Sequence, residues 1–392
     1  MQAVVLVEVY ALFKSRRPPL QFSRIFEDVY RHLASDSDAL NIESAYLNDF
    51  LDDPAHVEDV SCKQRLLAAC FVLDSQHTTL FGRRRTSCYS GAGIDLPFPT
   101  SQSSWDDARR PVRRLDPHER VSQALDGGNM DGPIHHRPSD VFQSMLMIAC
   151  LTDSSNETDS LHPSDPSKDL IPVLGAMQQS VQIKLAYNTF MLCKYTPMRN
   201  LLAVAGESWV MAEKLSNQAD FVASQIDARD WASAAGYPSD FDGSGLDDEQ
   251  SPPVRRAFRH ALRIIELHMG HPKTGLLYQE WSVYLAAVVV WAYAYASASA
   301  VPGLAMQRPR LSVPNPSQPS LSSLEIEQTV NNVVSSGGNT GIDQEEARRV
   351  LLWAKAAIER VDLPHNCGLT NGALDVLGKL VTRGTEVGWF GA

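Results

Sequence analysis

Gly206-Glu207-Ser208-Trp209-Val210 opens like a nucleophile elbow, the sharp strand-to-helix turn from which a serine attacks an acyl carbon. That pattern ends in glycine, where this chain has Val210, and no strand is predicted before the turn. Ser208 therefore reads as a serine on a helix face. His268 and His271 stand three apart, without the four-residue spacing and adjacent glutamate of a zinc-protease helix. Gly270 and Pro272 mark a helix end there, where a histidine is favoured by the dipole without any metal. The pair His135-His136 falls in a loop and is no more specific.

Asp240, Asp242, Ser244 and Gly245 occupy positions 1, 3, 5 and 6 of a calcium-loop pattern. Position 12, which should offer a two-oxygen glutamate, is Ser251, and the usual apolar position 8 is Asp247. A solvated acidic turn is the plainer reading. Arg83-Arg84-Arg85, and the later set Arg109, Arg110, Arg113 and Arg114, are basic enough to meet an anionic partner or serve nuclear import. No aromatics interleave them, and Asp106, Asp107 and Asp116 dilute the second set, so both read as solvated loop charge. Gly337-Gly338-Asn339-Thr340-Gly341 precedes a helix and reads as a loop before an N-cap. There is no P-loop and no G-x-G-x-x-G. An enzyme built on this chain would have to gather several of Asp74, His77, His260, Glu266 and His268 in one cleft.

The elements that must position these groups are helical. The chain has 392 residues, 44% hydrophobic and 21% charged, a globular mix. Its formal charge of -11 gives no global attraction to phosphate backbones. Six cysteines, at positions 62, 70, 88, 150, 193 and 367, form no C-x-x-C pair. That excludes a sequence-evident zinc finger and a dense disulfide scaffold, and suits a reducing compartment. Helical periodicity predicts helices over 62–81, 140–151, 170–196, 200–215, 219–235, 253–269, 343–360 and 372–383. The N-terminal run MQAVVLVEVYALF is broken by Glu8 and reads as an amphipathic helix on a core rather than a signal peptide. Trp281–Ala300 carries no charge and is long enough to cross a bilayer, but its Ala and Ser content suits the central helix of a bundle. Pro-, Ser- and Asp-rich stretches at 100–138, 152–169, 239–253 and 301–323 read as disordered loops. The expected architecture is all-α, a single large helical bundle over 1–392 with long irregular loops.

Several stretches together resemble a known family. Arg65–Leu80 (RLLAACFVLDSQHTTL) precedes Ile94-Asp-Leu-Pro-Phe-Pro99 and Ser104-Trp105-Asp106; about 180 residues later comes Glu280-Trp-Ser-Val-Tyr-Leu-Ala-Ala-Val288. Asn371-Gly-Ala-Leu-Asp-Val-Leu-Gly378 and Trp389-Phe390 close the set. This order is similar to the fungal-specific transcription factor domain, the middle homology or xylanolytic-activator-type regulatory domain of fungal zinc-finger transcription factors. It leans towards the Cys2His2-finger group. The resemblance implies an α-helical, non-enzymatic regulator of transcription by RNA polymerase II in the nucleus, with its Trp281 helix buried in protein and not in a membrane. Such a domain is expected to act as a switch that masks or exposes an activation surface, or dimerises as a homodimer, in response to a small-molecule effector or a transcriptional co-regulator. No finger cysteines precede the resembling region, so the chain is expected to be a fragment of a longer factor or a paralogue without DNA binding. Zinc and DNA contacts are expected only from that absent N-terminal finger, and no cofactor from this chain. The alternative reading is a helical-bundle enzyme or small-molecule-binding protein.

Overall fold

Apolar side chains at three- and four-residue spacing make nearly every element helical, and the outcome is an all-α fold with one two-residue-stranded hairpin among the described residues. The computed structural model describes residues 1–15, 18–40, 54–86, 96–99, 120–121, 138–154, 177, 179–211, 213–234, 251–299, 322–336, 342–361 and 368–383. The sequence reading expects one bundle; the chain divides into two compact units, Met1–Leu12 with Pro19–Tyr187 and Phe13–Pro18 with Asn188–Ala392. Chains of this length exceed the size at which a single core keeps growing.

The first unit holds α1 (Gln2–Phe13, its last residue counted with the second unit), α2 (Arg24–Ser35), the single turn α3 (Ser37–Leu40), α4 (Pro54–Phe81) and α5 (Val141–Ser154). α4 is its axis, with α2, α3 and α5 packed against it. The Ser23 hydroxyl caps α2 by accepting from the Phe26 N–H, and Phe26, Tyr30 and Leu33 then bury one stripe. α1 departs from the expected amphipathic helix. Leu6, Val7 and Tyr10 are exposed, whereas Glu8 is buried and accepts a hydrogen bond from the Ser23 N–H at 3.2 Å. α5 is capped by Asp140, whose Oδ1 accepts from the Gln143 N–H at 2.8 Å. It runs on to Ser154, three residues into a stretch expected to be loop; the remainder of that stretch lies outside the described residues.

The second unit holds the C-terminal half of α6 (Val181–Lys194), α7 (Met198–Ala205), the hairpin β1 (Trp209–Val210) and β2 (Glu213–Lys214), α8 (Gln218–Ser233), α9 (Pro253–Gly270), α10 (Gln279–Ser299), α11 (Ser323–Ser335), α12 (Gln344–Glu359) and α13 (Gly368–Arg383). α10 is the centre: every residue from Trp281 to Ala294 is buried, with α9, α12, α8 and α13 around it. Its alanines let those helices approach closely. Among the described residues no helix is long and apolar enough to cross a membrane. α12 starts as the sequence predicts, with Asp343 and Glu346 in a reciprocal capping box. α11 has an equivalent box from Ser322 and Glu325, and 301–323 was expected to be connector up to its first turn.

The expected helix over 200–215 is wrong in its second half. α7 stops at Ala205 in a Schellman motif: Ser208 N–H bonds the Ala203 carbonyl at 2.8 Å and Glu207 N–H the Val204 carbonyl at 3.3 Å. Glu207 occupies the left-handed position at φ 56°, where glycine is usual. The adjacent Gly206 is required for a different reason, since a Cβ there would collide with the Trp209 carbonyl oxygen. Glu207→Gly is therefore expected to stabilise the protein by about 1 kcal/mol, read as a higher urea midpoint at unchanged slope.

Candidate functional site

Polar clusters interrupt the apolar packing in both units, the first around Asp74 and the second around Tyr195. In the first, four consecutive residues of α4, Asp74-Ser75-Gln76-His77, are all buried. A helix exposes some part of any four-residue run unless neighbours cover every side, so these polar groups must find partners inside. The chain reverses at Gly82, whose φ of 60° suits glycine, and lays Arg83–Thr86 back along the helix end. The Thr86 N–H and hydroxyl donate to the two Asp74 carboxylate oxygens at 3.2 and 2.8 Å. Arg85 pairs with the same carboxylate at 3.4 Å while its guanidinium lies 4.8 Å over the Phe71 ring. Burial raises the Asp74 carboxyl above its ordinary range, and Thr86 and Arg85 pull it back down. Arg83 is also buried and only Arg84 is exposed. The arginine triplet is thus largely folded inward, not the solvated loop charge that its sequence suggests.

His77 lies one turn further on. Its ring sits 4.5 Å from that of Phe22, and its Nε2 faces the Pro19 carbonyl at 3.5 Å, the long limit of a hydrogen bond. Burial, with a smaller contribution from the Arg83 charge, pushes the imidazole down to about 4, against the Pro19 carbonyl. Because the folded state holds the neutral ring, stability from this group is complete above pH 6.5 and is lost as pH falls from 6.5 towards 4. At about 1.4 kcal/mol per pH unit the loss is on the order of 3 kcal/mol. His77→Phe is expected to flatten that limb of the stability–pH curve, measured by urea titration from pH 7 to 4.

The resembling Leu96-Pro-Phe-Pro99 segment is pinned in the same unit. Leu96 and Phe98 are buried, Pro97 bridges Arg120, and the Pro99 carbonyl accepts from Gln143 Nε2 at 2.7 Å.

The second cluster surrounds Tyr195. His260 stacks on its ring at 5.9 Å and Arg256 lies over it at 5.3 Å. Trp231 Nε1 donates to the Tyr195 carbonyl at 2.8 Å, and His260 Nδ1 meets Asn188 Oδ1 at 2.9 Å. An Arg–aromatic–His stack of this kind ties helices together; its sequence signal is only the helical spacing of Arg256 and His260.

The titratable residues that an enzyme would have to gather are each tied to a different partner. Asp74 and His77 belong to the first unit, and His260, Glu266 and His268 to the second. Glu266 pairs with Arg263 at the surface, and His268 bonds Gln279. Ser208 follows a helix and precedes a strand, the reverse of an elbow. His268 is buried and His271 exposed, so they do not face one ligand. Among the described residues no group of three or more His, Cys, Asp and Glu is placed to hold a metal ion. Asp240–Gln250, His135-His136, Arg109–Arg114 and Gly337–Gly341 lie outside the described residues. No family model matches the chain, and neither a curated protein nor a solved structure matches it significantly.

Proposed function

We propose that the chain is a regulatory domain of a fungal transcription factor, acting in the nucleus on transcription by RNA polymerase II. The observation that carries this reading is the burial of α10: the uncharged Trp281–Ala294 stretch is enclosed by other helices of its unit, as the resemblance implies for its Trp281 helix. The inward-turned polar residues of α4, within the resembling Arg65–Leu80 stretch, and the pinned Leu96–Pro99 segment support it further. A regulator needs two conformations whose balance a partner shifts by binding one better than the other. Co-regulators, a small-molecule effector or a second copy would serve, with zinc and DNA bound by a finger outside this chain. The test is a reporter assay with the chain fused to a foreign DNA-binding domain. A change in transcription, up or down, that depends on growth condition is expected; unaltered transcription under every condition would sink the reading.

A further inference from the structure

His268 lies in the last turn of α9 and Gln279 begins α10, and both side chains are buried, as is Thr274 between them. The Gln279 amide is oriented by backbone groups that cannot change roles. The Thr274 N–H, which can only donate, points at Oε1 at 2.8 Å, joined by the Thr274 hydroxyl at 2.9 Å. The Pro272 carbonyl, which can only accept, faces Nε2 at 2.7 Å. The second Nε2 hydrogen then points at His268 Nδ1, 3.0 Å away. Nδ1 must be the acceptor, so the closed junction requires the neutral ring with its proton on Nε2. A proton on Nδ1 would set two donors against each other in a buried site.

We propose that the His268–Gln279 contact is a pH-sensitive fastener, closing the 271–278 connection between α9 and α10 when His268 is neutral and releasing it on protonation. Trp353 of α12 meets the same ring at 5.9 Å with the two planes nearly perpendicular. The charged groups on the surrounding elements are engaged elsewhere or exposed: Glu266 with Arg263, Glu280 towards Lys14, Lys355 with Glu359, and His271 and Lys273 at the surface. Burial alone lowers the imidazole from its ordinary value of 6.5. Closure is therefore complete above about pH 6.5 and weakens as pH falls, by up to tenfold in the open fraction per pH unit.

Hydrogen exchange of the full chain, followed by mass spectrometry on peptides covering 271–278 and corrected for the intrinsic rate, reads this opening directly. Protection there is expected to fall several-fold between pH 7.5 and 5.5. His268→Gln keeps an acceptor for Gln279 Nε2 but cannot titrate, so its protection should stay constant over that range. Constant protection in the unaltered protein would overturn the proposal, as would a His268→Gln slope equal to that of the parent. The readout is local, so His77 in the other unit does not enter it. Should His268→Gln fail to fold, the slope of the unaltered protein still decides.

Discussion

Asp74→Ala is expected to destabilise the protein by about 3 kcal/mol in urea titration at pH 7, a large part of the stability of a domain. The carboxylate is fully buried and receives the Thr86 N–H, the Thr86 hydroxyl and the Arg85 guanidinium. Alanine withdraws all three interactions together, leaving the buried Thr86 N–H and hydroxyl without their acceptor. Asp74→Asn separates the two kinds of interaction. Its carbonyl oxygen still accepts from the Thr86 N–H, and its amide can donate to the Thr86 hydroxyl, so only the charge attraction to Arg85 is lost. More than half of the stability removed by alanine should return with asparagine. Equal losses for both variants would mean that the ion pair, not the hydrogen bonds, holds Arg83–Thr86 against α4.

The helices that were legible in the sequence are those with a long apolar stripe and a recognisable start. Asp343 before a Glu-rich first turn and Pro253 at the first position of α9 both mark true beginnings. α11 was equally marked by Ser322 and Glu325, but its sparse apolar stripe, with only Val330 and Val333 buried, hid it inside a Ser-rich neighbourhood. The hairpin after α7 was illegible for a different reason. It is built on positive φ at Glu207, Ser208 and Met211, and none of these residue types announces a left-handed conformation. α1 misled because Glu8 breaks an apolar run exactly where a solvent face would; only the Ser23 N–H, fifteen residues away, turns it inward.

The sites show the same division. Titratable residues could be named from the sequence, but not which way they point. Arg83 and Arg85 look like solvated charge until the chain reverses at Gly82, which buries Arg83 and lays Arg85 over Phe71 and beside Asp74. Gln279 and Thr274, which fix the tautomer of His268, carry no signal at all, since an amide and a hydroxyl are informative only once their partners are in place.

Phe258→Ala should damage the second unit severely, lowering stability by about 3–5 kcal/mol. Phe258 of α9 stacks on Tyr293 of α10 with ring centroids 4.0 Å apart and planes 8° from parallel, both rings buried. The loss combines the transfer of an aromatic side chain, the contact between the rings and a cavity that the helices do not fully close. They close it only in part, because helices already packed against each other relax little around a lost ring. Phe258→Leu keeps most of the volume and should lose under half as much. Val222→Ala, on the exposed face of α8, should change the urea midpoint by no more than about 0.5 kcal/mol and serves as the surface reference. If Phe258→Ala behaved like Val222→Ala, α9 and α10 would not form a packed core, and the burial of α10, on which the regulatory reading rests, would fall with it.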